Sequence, residues 1–249
     1  MAFTTARISY EGVKLFSRYK SHKPDLTPED KKARLEWAHT YKSWTEEDWR
    51  KVLFSDECRV HIEFDSTRQR LINAPEGTWY TKCIKIMVWG SFYYGDNGPL
   101  IVEEKKEDGS DGYAIMFDGL CQMLDQIPQF GSGNSPDLFM YDEAPCHKTE
   151  ALPDLLEKHN IPMLKWPSRS PDLNPVEDMW VELIGRFFQS YHQLDFKLPK
   201  SYTEFEACEA MLYGRWDELR CEGYFRSLTE SMPKRCQAVI DAEGGHTRY

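Results

Sequence analysis

From Val52 to Ile62 the chain alternates: Val52, Phe54, Cys58, Val60 and Ile62 fall on one parity, and Leu53, Ser55, Glu57, Arg59 and His61 fall on the other. A period of two is the signature of a strand with one apolar face, here spanning roughly residues 51–63. Asp56 lies on the apolar parity. A second apolar run, Ile84 to Tyr94, leads to Asp96-Asn-Gly-Pro, which reads as a hairpin turn into a strand from Leu100 to Glu103. Glu103 to Gly112 has loop composition. Helical periodicity follows at 113–126, with Ile115, Met116, Leu120, Met123 and Leu124 inward, then a Gly- and Pro-containing loop over 129–136. A short strand is expected at 137–142, a helix at 150–159, a strand at 161–166 and a helix at 175–190. Ahead of all this, Thr27 caps a helix opening at Pro28, with Leu35, Trp37, Ala38 and Tyr41 inward, and Thr45 opens a shorter one. Helices at 201–220 and 223–240 close the chain. Strands first, then alternating helix and strand, is the order of a mixed α/β domain.

Three carboxylates stand out against this pattern. Asp56 shares the core-facing side of its strand, where an unpaired charge is costly unless a cation or a hydrogen-bond network meets it. Asp142 follows Leu138 and Met140 on one parity, and Pro145 then stops the strand. An aspartate at the end of a buried strand faces the crevice where ligands bind in open α/β sheets. Glu177 lies at the third position of a helix whose N-cap is Asn174 and whose first residue is Pro175. Convergent carboxylates suit magnesium or manganese, which prefer oxygen ligands and retain water. Each residue also has a plain reading: a satisfied core aspartate, a turn aspartate and a capping-box glutamate.

The segments around these carboxylates resemble the mariner superfamily of DDE transposases, specifically its nematode-type branch. The resemblance is carried by Thr45-Glu-Glu-Asp-Trp-Arg-Lys-Val-Leu-Phe-Ser-Asp-Glu, by Asp142-Glu-Ala-Pro-Cys-His, and by Trp166-Pro-Ser-Arg-Ser-Pro-Asp-Leu-Asn-Pro-Val-Glu-Asp-Met-Trp. Thirty-four residues separate Asp142 from Glu177, the spacing that marks this branch. The resemblance implies a ribonuclease-H-like fold, with Asp56, Asp142 and Glu177 as catalytic and metal-binding residues for two Mg2+ or Mn2+ ions. It implies DNA strand cleavage and strand transfer on element ends and target DNA, by a homodimer in the nucleus. The family usually has asparagine after the second aspartate, and Glu143 stands there, adding a negative group that could bind a cation or raise a neighbour's pKa. Family members also carry paired helix-turn-helix domains ahead of the catalytic domain. The expectation is therefore a DNA-binding remnant and helical linker over 1–44 and a catalytic domain over 45–249, truncated and non-autonomous. A domesticated, non-catalytic interaction protein is the alternative.

Charge and cysteine content narrow this further. The chain holds 31 Lys and Arg against 41 Asp and Glu, a net charge of −10. Residues 1–24 carry +4 and the remainder −14, so DNA contact must come from local basic patches or bound cations. Lys165 and Arg169, between the second and third carboxylates, are candidate phosphate contacts or members of a solvated loop. His147 is a candidate contact to the scissile phosphate or a supporting residue. Trp166 and Trp180 favour core packing over base stacking. Seven scattered cysteines without a Cys-x-x-Cys pair read as reduced thiols, and Cys146-His147 lacks a second ligand pair for zinc. No apolar run approaches the ~20 residues of a membrane helix, and no signal peptide opens the sequence.

Overall fold

The computed structural model describes residues 4–9, 24–64, 82–104, 119–121, 136–140, 151–193 and 204–249. Its centre is β2 (Val52–Phe64), which pairs antiparallel with β3 (Lys82–Tyr93) on one edge. The other edge of β2 is shared. Its first residues pair in parallel with β5 (Leu138–Met140), and its last pair in parallel with β1 (Thr4–Ser9). β4 (Asp96–Glu104) and β6 (Met163–Leu164) complete the sheet, in the order β4-β3-β2-β5-β6 with β1 off that path.

Helices follow the caps. α1 (Pro28–Tyr41) and α2 (Glu46–Trp49) each open with a threonine in a capping box, Thr27 with Asp30 and Thr45 with Asp48. α3 (Ala151–Lys158), α4 (Pro175–Gln193), α5 (Glu204–Cys221), α6 (Tyr224–Glu230) and α7 (Met232–Asp241) follow.

The expected parity of β2 holds on one face: Val52, Phe54, Cys58 and Val60 join Ile86, Val88 and Phe92 in one buried cluster. Trp37 of α1, Trp180 and Phe187 of α4, Trp216 of α5, Phe225 of α6 and Val239 of α7 close over it. Trp166 and Trp180 are both core residues. The opposite parity is buried as well, through Leu53, Met87, Trp89, Ile101 and Phe139. The fragment 119–121 packs there. A Cβ added to Gly119 would lie 2.3 Å from the Trp89 indole.

Four local expectations are corrected. The hairpin turn is Tyr94-Gly95, not Asp96-Asn-Gly-Pro: Tyr93 pairs with Asp96, and Gly95 takes the positive φ of 76° that this turn needs. Pro99 is instead absorbed on β4, an end strand of the sheet, where the register to β3 shifts between Gly90 and Phe92. The helix expected at 223–240 is two, α6 and α7, meeting at Ser231. Pro233 sits in the first turn of α7, where its missing N–H costs nothing. Only residues 163–164 of the expected strand at 161–166 pair. On α1 it is Arg34 that is fully buried beside Trp37 and Ala38, while Leu35 is half-buried.

Candidate active site

Asp56 lies midway along β2, directly opposite Gly90 of β3. That glycine leaves room for two rings: a Cβ there would come within 2.9 Å of Trp180 Cη2 and 3.3 Å of Trp216 Cη2. Helices α4 and α5 can therefore sit down on the strand beside Asp56. Its carboxylate is half-buried, in a face otherwise filled by apolar side chains. Oδ1 accepts the Glu57 backbone N–H at 2.8 Å, and Oδ2 accepts Asn174 Nδ2 at 3.2 Å.

Asn174 brings the third motif to the same place. It is the N-cap expected from the sequence: its Oδ1 accepts the Val176 N–H at 3.1 Å, and its carbonyl accepts that of Glu177 at 3.2 Å. Glu177, partly exposed, thus lies in the first turn of α4, the end of a helix that favours negative charge. Glu177 and Asp56 both act on one group, the fully buried thiol of Cys58. Burial pushes this thiol well up, and the charges of Glu177 and then Asp56 push it further. It stays neutral, so the charged donors here are carboxylate oxygens, a set that fits hard divalent cations rather than soft ones.

β5, which precedes the second motif in the chain, lies along the edge of β2 away from β3. Met140 pairs with Phe54, and the Met140 carbonyl accepts Ser55 Oγ at 3.1 Å. Asp142, Glu143 and His147 lie outside the described residues. Among the described residues no three His, Cys, Asp or Glu side chains form a group set to hold a metal. Lys165 is exposed, and its carbonyl accepts the Trp37 Nε1–H at 2.7 Å. Arg169, with a positive φ of 54°, turns to the start of α1, where Nη1 donates to Asp30 at 3.3 Å and, ahead of the helix, to the Asp25 carbonyl at 3.0 Å.

A second cluster, not anticipated from the sequence, lies two residues upstream of Asn174. Asp172 is buried and receives a bidentate pair from Arg34, at 2.7 Å and 2.8 Å. Thr247 adds its backbone N–H at 2.9 Å and its hydroxyl at 3.0 Å. Arg34 also donates to the carbonyls of Gly244 and Gly245, both at 2.9 Å. Arg235 of α7 donates to the Asp172 carbonyl at 2.9 Å, pairs with Asp178, and lies 4.5 Å from the centre of the Tyr249 ring. Burial alone raises the Asp172 carboxyl, but Arg34 and Thr247 outweigh it and hold the group below its ordinary value. The one sequence signal was Arg34 itself, a charge in phase with Trp37, Ala38 and Tyr41.

A mixed sheet with helices closed over it, and a carboxylate in mid-strand facing a helix N-terminus, is the architecture of a ribonuclease-H-like nuclease domain. The family model described as DDE superfamily endonuclease matches residues 51–197. The chain is 31% identical over 245 residues to the Tcb1 transposable-element transposase of Caenorhabditis briggsae, spanning 94% of this chain and 84% of that protein. It is 29% identical over 255 residues to the Tc1 transposase of Caenorhabditis elegans, spanning 98% and 87%. Similar solved structures include the Mos1 transposase catalytic domain with Raltegravir and Mg, at TM-score 0.60 and 16% identity, covering 90% of this chain and 100% of that one. A Mos1 mariner paired-end complex with Mn superposes at TM-score 0.62 and 16% identity, covering 95% and 69%. The chain belongs to the DDE superfamily endonucleases, within the mariner/Tc1 group of transposases. It is a nuclease and polynucleotidyl transferase by family, and DNA transposition is the process its domain serves.

Proposed function

We propose that this domain cuts and rejoins DNA strands at element ends through two divalent ions held by Asp56, Asp142 and Glu177. All three carboxylates would supply oxygen ligands to these ions. The observation that carries the reading is the Asn174 carboxamide, which donates to Asp56 of the mid-sheet strand and accepts from the first turn of the helix that carries Glu177. Such ions, when bound, activate water for strand cleavage and then a 3′-hydroxyl for strand transfer. The chain's own part is to hold the carboxylates rigidly and present a partly open face to the phosphodiester. Positioning of this kind accounts for roughly 7–11 kcal/mol of a barrier in well-oriented systems.

We read residues 45–249 as the catalytic domain and residues 1–44 as the remnant of a DNA-binding region and a helical linker, from which Thr4–Ser9 adds a strand to the domain's sheet and α1 packs on its core. DNA is the partner, with His147, Lys165 and Arg169 near its phosphates. Two copies act together, a reading supported by the paired-end complexes of the structurally similar Mos1 transposase. The site of action is the nucleus, where chromosomal DNA lies. Glu143, where the family usually has asparagine, would add negative charge to the second motif and lower the rate.

Two measurements test this. Manganese titration followed by water-proton relaxation should show binding by the wild type that is lost in Asp56→Asn; equal binding by both would overturn the metal assignment. Supercoiled-plasmid nicking in manganese should be slow in the wild type, absent in Glu177→Gln, and equal or faster in Glu143→Asn. Nicking that persists in Glu177→Gln would count against the assignment.

A further inference from the structure

Asn174 is 4% exposed, and both ends of its carboxamide are committed to different elements. Oδ1 faces the first-turn N–H of Val176, and Nδ2 faces Asp56 Oδ2. This orientation of the amide follows from the network, because the reverse would set oxygen against carboxylate and N–H against N–H. The Asp56 carboxylate is consequently gripped at both oxygens, by its own strand through Glu57 N–H and by the helix cap through Asn174. Few side chains could do both jobs. Aspartate caps a helix but has no hydrogen to give and would place a second negative charge against Asp56. Serine caps equally well but is too short to span to the strand.

The residue is itself immobilised. Asn174 N–H donates to the Pro171 carbonyl at 3.0 Å, and Leu173 N–H to that of Ser170 at 3.2 Å, closing a tight turn. Asp172, inside that turn, is held by Arg34 from α1, Arg235 from α7 and Thr247 from the tail. Beyond the turn, Asp178, next to Glu177, pairs with the same Arg235.

We propose that Asn174 is a positioning residue of the metal-binding centre: one carboxamide fixes the orientation of Asp56 and locks it to the helix that carries Glu177. This rests on reading those two carboxylates as metal ligands. A cap alone would not tie the Asp56 carboxylate to that helix. The bridge instead makes the distance between strand carboxylate and helix carboxylate a property of one side chain.

The test separates cap from bridge. Asn174→Ser keeps the cap and removes the donor to Asp56, whereas Asn174→Ala removes both. Manganese affinity, read by water-proton relaxation, and thermal midpoint are measured for wild type, both variants, Asp56→Asn, and Asn174→Ser combined with Asp56→Asn. Partners that orient metal ligands are typically worth 10–100-fold in affinity. Asn174→Ser should therefore bind manganese about tenfold more weakly or worse with its thermal midpoint near that of the wild type, and should add nothing in the Asp56→Asn background. Asn174→Ala should lose the same affinity and also stability. Affinity that follows stability, falling in Asn174→Ala and not in Asn174→Ser, would reduce Asn174 to a cap and overturn the proposal. Wild-type binding in Asp56→Asn would instead remove the metal reading on which it rests. Asn174→Thr, also cap-competent, makes the same comparison if the serine variant folds poorly.

Discussion

Arg34 and Asp172 pose the sharpest energetic question among single residues, since both side chains are fully buried and oppositely charged. A buried pair adds little net stability, because desolvation offsets attraction, yet removing one partner strands the other. Arg34→Met should therefore cost about 3–5 kcal/mol in urea denaturation, and a loss below 1 kcal/mol would contradict the described geometry. The pair also sets an acid limit. The Asp172 carboxyl is lowered in the folded state, so its contribution is complete above the unfolded value of ~3.9 and disappears as pH falls through the folded value. Calorimetry over roughly pH 2.5 to 6 should show the wild type losing stability below about pH 4. Asp172→Asn should flatten that part of the curve while lowering it throughout.

At the scale of elements, the site depends on helices lying close against the sheet. Gly90 is what permits it: with a Cβ 2.9 Å from Trp180 and 3.2 Å from Leu100, Gly90→Ala must displace a buried indole or bend β3 opposite Asp56. Overpacking of this kind costs about 1–3 kcal/mol. The expected result is a clear fall in thermal midpoint together with weaker manganese binding, because the strand that carries Asp56 shifts with its partner. An unchanged midpoint would show that Trp180 yields without strain. α4 itself was readable in advance, since Asn174 and Pro175 declare its start locally. The β3–β4 turn was misplaced because Asn97-Gly98 is the stronger turn signal in isolation, while Gly95 and the bulge are chosen by pairing with β3.

For the whole molecule, the first described helix and the last residues meet on the third motif. Gly244, with φ of 79°, turns the tail so closely that a Cβ there would lie 2.0 Å from the Lys31 carbonyl. From that turn Thr247 reaches Asp172 and Tyr249 reaches Arg235. Deleting residues 246–249 removes these contacts and leaves Asp172 and Arg235 short of partners. A fall of roughly 2–4 °C in thermal midpoint is expected for each kcal/mol lost in a protein of this size, read by scanning fluorimetry. Unchanged stability would mean the tail is dispensable to the turn.

The sequence by itself determined what is written within a few neighbouring residues. The period of two in β2, the threonine caps of α1 and α2, the Asn174-Pro175 start of α4 and the motifs that mark the family are all of this kind. Burial pattern and cap chemistry act over one or two turns, so they survive without knowledge of the rest of the chain. Tertiary structure alone decided which distant groups meet. The bond from Asn174 to Asp56 spans 118 positions, that from Arg34 to Asp172 spans 138, and that from Thr247 to Asp172 spans 75. No local pattern encodes such pairings. They follow from two helices and a tail closing over one face of the sheet, which forces the charges trapped there to find one another.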